Sequence, residues 1–140
     1  MAKTLLSLAA ELEATRDGLR NRASNKAVEV AVAIVTDLAN VTPVDSSRAL
    51  SNWIVTIGAA VTTAIEPYYF GHRGDTQELS AAAVIAAARR VLEAKKPGQP
   101  ITISNVLPYI KRLNEGYSQQ EPAGMVERAI LIGRNIAKRF

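Results

Sequence analysis

The chain has 140 residues, of which 48% are hydrophobic and 21% charged, which is enough material for one domain with a real core. Seventeen basic against thirteen acidic side chains leave a formal charge of +4, spread along the chain without the clustered stripe of a dedicated nucleic-acid reader. The chain lacks cysteine, which excludes disulfides, thiolate metal sites and cysteine nucleophiles.

Much of the apolar fraction is alanine, and only one Trp, four Tyr and two Phe supply aromatic bulk. Alanine lets elements approach closely but buries little surface, so the composition hints that the subunit needs partners. The opening Met1-Ala2-Lys3-Thr4-Leu5-Leu6-Ser7-Leu8 is followed at once by Glu11, Glu13, Arg16 and Asp17, leaving the apolar run too short for a signal peptide. The longest uncharged run, 49–65, is broken by serine, asparagine, glycine and threonine and reads as strands rather than a bilayer span. A soluble protein is expected.

Leu5, Leu8, Leu12 and Leu19 fall at helical spacing, and the stripe resumes as Ala27, Ala31, Ile34, Val35 and Leu38. This predicts helix from about Leu5 to Asn40, either continuous or bent or broken near Gly18 or Ser24-Asn25. A helix of ~35 residues is ~50 Å long, more than the width of a compact domain of this size. Either its leucine-spaced first half projects and grips a neighbouring subunit, or the chain folds back at Gly18 and packs internally. The organisation expected is therefore a single domain: residues 1–40 as the long helix and 41–140 as the α+β core.

Pro43 ends the helix, since it lacks an N–H and pushes Thr42 out of the α region. Asp45, Ser46 and Ser47 suit a capped turn. From Ser51 to Ile57 the apolar period becomes two, predicting a strand with Trp53, Val55 and Ile57 on one face. Trp53 is the candidate core anchor. Gly58 marks a bulge or turn, and a second strand is expected over 60–65.

The segment Glu66-Pro67-Tyr68-Tyr69-Phe70-Gly71-His72-Arg73-Gly74-Asp75 reads as a loop with three consecutive rings. Tyr68, Tyr69, Phe70 and Arg73 are candidate contact residues, because aromatics and arginine are enriched at interface hot spots. The plainer reading is that the rings cover a sheet edge. Asp75 and Glu78 suggest an acidic capping box for a helix whose apolar stripe is Ala81, Val84, Ile85, Ala88, Val91 and Leu92. Arg89, Arg90, Lys95 and Lys96 sit at its end, either as a solvated helix terminus or facing DNA. Pro97-Gly98 closes it.

Ile101 and Ile103 alternate with Thr102 and Ser104 as another short strand, giving a small, mostly antiparallel sheet. Pro108 suits the first turn of a short helix that Gly116 closes. Pro122 opens a terminal helix whose apolar arc includes Val126, Ala129, Ile130, Ile132, Gly133, Ile136, Ala137 and Phe140. An arc this wide implies contact on two sides, with Ile132, Ile136 and Phe140 as candidate interface residues.

Catalytic devices are not indicated. His72 stands without an orienting partner, Glu11 and Glu13 lie on different helix faces, and no glycine-rich phosphate loop occurs. A non-enzyme without cofactor or metal is expected.

Two segments together carry a family resemblance: Thr-Pro-Val-Asp-Ser-Ser-Arg-Ala-Leu-Ser-Asn-Trp-Ile-Val at 42–55, and Ile-Ser-Asn-Val-Leu-Pro-Tyr-Ile-Lys-Arg-Leu-Asn-Glu-Gly-Tyr-Ser-Gln-Gln-Glu-Pro-Ala-Gly-Met-Val at 103–126. Their order and spacing, with Lys96-Pro97-Gly98-Gln99 between them, resemble the tail-completion or neck proteins of tailed bacteriophages, also described as head–tail joining or minor tail components. The likeness spans 42–126; the first helix agrees only in kind, and Val106 stands where similar chains often carry a second asparagine. The resemblance implies an α+β fold and a ring subunit at the head–tail junction of the virion, six-fold or next twelve-fold. Its implied neighbours are the portal or adaptor and the tail-terminator or tail-tube proteins, with DNA passing through without sequence specificity and no membrane. It brings no catalytic residues. The alternative from the residues alone is a small non-specific nucleic-acid-binding protein using Arg89, Arg90, Lys95, Lys96, Arg134, Lys138 and Arg139.

Overall fold

The computed structural model describes residues 4–116 and 123–139. Phe140 and Pro122 lie outside them, as does the polar link at 117–121. Helix α1 runs unbroken from Leu5 to Val41. Thr4 caps it, its hydroxyl oxygen accepting from the Ser7 N–H at 3.1 Å. At 37 residues it is about 55 Å long. Neither Gly18 nor Ser24-Asn25 interrupts it, so of the two alternatives the helix is the continuous one. A single glycine costs a helix only about 1 kcal/mol relative to alanine. The Ser24 hydroxyl is occupied outside the helix, accepting from the Lys95 ammonium at 2.7 Å.

Every residue from Thr4 to Ala23 is exposed, and burial begins at Ser24. The first half of α1 therefore projects and does not fold back. Its second half belongs to the core through Ala31, Val35, Leu38 and Ala39, so the division between arm and core falls near Ser24 rather than at 40.

Around that half pack α3 (Gln77–Glu93) and α5 (Met125–Ala137), with a two-stranded antiparallel sheet of β1 (Ile54–Ile57) and β2 (Ile101–Ser104). The strands pair Ile54 with Ser104 and Ile57 with Ile101. Short helices α2 (Arg48–Ser51) and α4 (Ile110–Asn114) complete an α+β fold. The core joins Val35, Leu38, Val44, Leu50, Trp53, Val55, Val84, Leu92, Met125 and Ala129. Among the described residues, no helix is long and apolar enough to cross a membrane.

Three local expectations are corrected. Residues 48–51 are a helical turn, so the strand begins at Ile54 rather than Ser51. Residues 60–65 are not a strand, because both backbone groups of Ile65 are taken by the Asn52 side chain: its oxygen accepts the Ile65 N–H at 2.8 Å, and its amide donates to the Ile65 carbonyl at 2.9 Å. Gly58, at φ +94°, turns the chain out of β1. The third correction is at α3, whose cap position is Thr76. Asp75 instead accepts the His72 N–H at 2.8 Å, a turn within the loop.

The close fit of α5 on α1 rests on small residues. A Cβ placed on Gly133 would lie 2.6 Å from Ile34 Cδ1, so only glycine allows this approach without displacement. Gly124, at the start of α5, has no capping side chain, and α4 supplies one. The Asn114 oxygen accepts the Val126 N–H at 2.8 Å, and its amide reaches Glu127 at 3.1 Å.

Candidate interaction surfaces

The corner between α1 and β1 is fixed by one buried relay. The Trp53 indole N–H donates to the Thr42 hydroxyl at 2.8 Å, and that hydroxyl donates to the Leu38 carbonyl in the last turn of α1. Thr42 is fully buried and Trp53 nearly so, which makes Trp53 the core anchor expected of it.

The aromatic loop is held on that corner by its backbone. The Arg73 N–H donates to Asp45 Oδ1 at 2.6 Å, Gly74 N–H to the Asp45 carbonyl at 3.0 Å, and Tyr68 N–H to Ser51 Oγ at 3.0 Å. The Tyr69 carbonyl accepts from the Thr76 hydroxyl at 2.6 Å and from Ser80 at 3.3 Å. With the main chain bonded inward, the rings point out: Tyr68, Tyr69 and Phe70 are all exposed, Phe70 most at 65%. Phe70 stands edge-on to His72 with ring centroids 5.2 Å apart. Arg73 is exposed beside them. All three rings are exposed above a main chain hydrogen-bonded to the corner, an arrangement that leaves them available for aromatic contacts.

The leucine arm is a second surface. Leu5 is 86% exposed, and Leu8, Leu12 and Leu19 are exposed along the same stripe; Leu6, on the neighbouring face, is exposed too. Such a run of uncovered leucine is unusual on a finished soluble surface.

On α5 the assignment shifts. Ile132 and Ile136 are half-buried, turned partly toward α1, while Ile130 and Leu131 are the exposed apolar residues. Leu79 and Tyr109 are further exposed apolar groups that helical periodicity missed. Leu79 lies off the main stripe of α3, where a pattern search for core residues does not look, and Tyr109 stands at the cap of α4 rather than within it.

The candidate channel-facing cations separate. Arg89, Arg90 and Lys96 are exposed, but the Lys95 ammonium is turned back, donating to Ser24 Oγ and to the Lys96 carbonyl at 3.2 Å. Lys95 borders an open groove of about 400 Å³ whose walls come from α1 (Val30, Ile34), β2 (Ile101, Ile103) and the end of α5 (Ala137), with Lys26 at its rim. Lys26 pairs with Glu29 at 3.1 Å.

Among the described residues, no three His, Cys, Asp or Glu side chains are placed to hold a metal ion. The Tyr109 titration is displaced. Partial burial raises its phenol above the ordinary 10.0, and the Arg48 charge pulls the other way. Compared with known proteins, the chain matches no family model, no curated protein and no solved structure.

Proposed function

We propose that this chain is a structural subunit of the neck of a tailed-phage virion, assembled in the host cytoplasm. In this reading it joins copies head to tail into a ring around the DNA exit channel, between portal or adaptor and tail. The observation that carries the reading is the first half of α1: twenty exposed residues, Thr4 to Ala23, bearing five exposed leucines. A ring needs two different surfaces that meet and close by rotation, and a projecting apolar arm is one of them. The resemblance of residues 42–126 to neck proteins supplies the phage context, and the aromatic loop is the candidate contact with the ring above or below. No catalytic role is assigned. Light scattering on purified protein, with images of virions, tests the reading. Rings or virion-bound copies are expected, and a strict monomer absent from the particle overturns it.

One observation favours a second reading, non-specific nucleic-acid binding. Lys95, just past α3, and Ala137, at the end of α5, line one groove with Lys26, and Lys138 and Arg139 come next in the chain after Ala137. Binding of this kind falls steeply with salt. Filter-bound DNA at low salt that is released as salt rises supports it; no retention at low salt removes it.

A further inference from the structure

We infer that the leucine arm of one copy, residues 5–19, docks in the apolar groove between α1, β2 and α5 of a second copy. The inference deepens the ring reading and rests on it for closure, but the contact itself is argued from this chain's surfaces.

The groove and the arm match in chemistry. The groove wall is Val30, Ile34, Ile101, Ile103 and Ala137, with room for a few aliphatic side chains. Its rim carries two lysines, Lys95 and Lys26, beside the amide of Gln99, and Lys26 is paired with Glu29. Lys95 makes its described hydrogen bonds to a serine hydroxyl and a backbone carbonyl, with no carboxylate among them. On the arm, Leu5, Leu8, Leu12 and Leu19 form one stripe, and Glu11 flanks it about 70° around the helix. Within residues 5–19 the arm carries Glu11, Glu13 and Asp17 against Arg16, a net −2 (three acids less one base), and Arg20 and Arg22 follow it on the same exposed half of α1. An acidic, leucine-striped helix and an apolar groove rimmed by lysines are complementary.

The arm cannot fill its own groove. α1 is continuous, so the middle of the leucine stripe stands about 27 Å along the same straight helix from the residues that wall the groove. Donor and acceptor surfaces that far apart on one rigid element meet only between copies, and the contact is heterologous, repeating from subunit to subunit.

The absence of native cysteine gives a clean test on the full chain. Leu8→Cys places a thiol on the arm and Gln99→Cys one at the groove; both sites are exposed, so both variants fold. Under mild oxidation the double variant is expected to give a ladder of linked copies on a non-reducing gel, while neither single variant cross-links. Cross-linking of Leu8→Cys alone shows arm pairing with arm and overturns the inference. So does a gel with monomer only. Rings seen by light scattering without the ladder overturn the docking and leave the ring reading standing. A ladder that never closes into a ring leaves the docking standing and defeats the ring.

Discussion

Thr42 does at residue scale what the whole corner depends on. Its hydroxyl accepts the Trp53 indole N–H and donates to the Leu38 carbonyl, so threonine here is a buried two-way bridge. Thr42→Val keeps the shape and strands the indole N–H, and is expected to cost about 1–3 kcal/mol in chemical denaturation. Thr42→Ser restores most of it, and equal losses for the two variants would show that packing rather than hydrogen bonding governs the site. Tyr109 offers a titration at the same scale. Its folded phenol titrates above the ordinary 10.0, so the unfolded chain ionises first as pH rises. Stability is therefore full below that value and declines as pH passes through and above it. Tyr109→Phe should flatten this alkaline decline, measured as melting temperature between neutral and strongly alkaline pH.

The element scale is governed by α1, whose two halves face different surroundings. Against the inner half, Gly133 lets α5 approach closely, and Gly133→Leu has no room beside Ile34 and Val30. Overpacking of this kind typically costs 1–3 kcal/mol, and here it should loosen α5 first. Faster amide exchange across Met125–Ala137 than in α3 is the signature to look for. On the outer half Gly18 has open space around it and no left-handed backbone requirement. Gly18→Ala should raise helical ellipticity and extend the arm's thermal persistence by up to about 1 kcal/mol, with little change in the core's unfolding midpoint. A drop in helicity would mean that the arm needs a bend there.

For the whole molecule, the consequence is a separation of stability from assembly. Leu12 is 63% exposed and Leu50 is fully buried, so the same residue type has different duties at the two places. Leu12→Glu should leave the unfolding free energy within about 0.5 kcal/mol and abolish association. Leu50→Ala should cost about 2–5 kcal/mol whether or not copies associate. Paired denaturation and light scattering on the two variants check this. Loss of stability in Leu12→Glu would place the arm inside the subunit's own cooperative unit.

What the sequence determined by itself was the punctuation and the faces. Pro43 stops α1 within a residue or two of its end, period-two alternation marks both strands, and the spacing of Leu5, Leu8, Leu12 and Leu19 defines a stripe before any fold is known. An apolar period says which side of an element avoids water, not what lies opposite it. Tertiary structure decided that the outer stripe meets solvent while Val35 and Leu38 meet α3 and α5. It also decided the points where a side chain bonds a backbone far away in the chain. Asn52 takes both groups of Ile65 at the end of the expected strand, Asn114 caps α5 from another helix, and Lys95 donates to the Ser24 hydroxyl. These bonds join residues 12 to 71 positions apart, so no local window of sequence contains both partners.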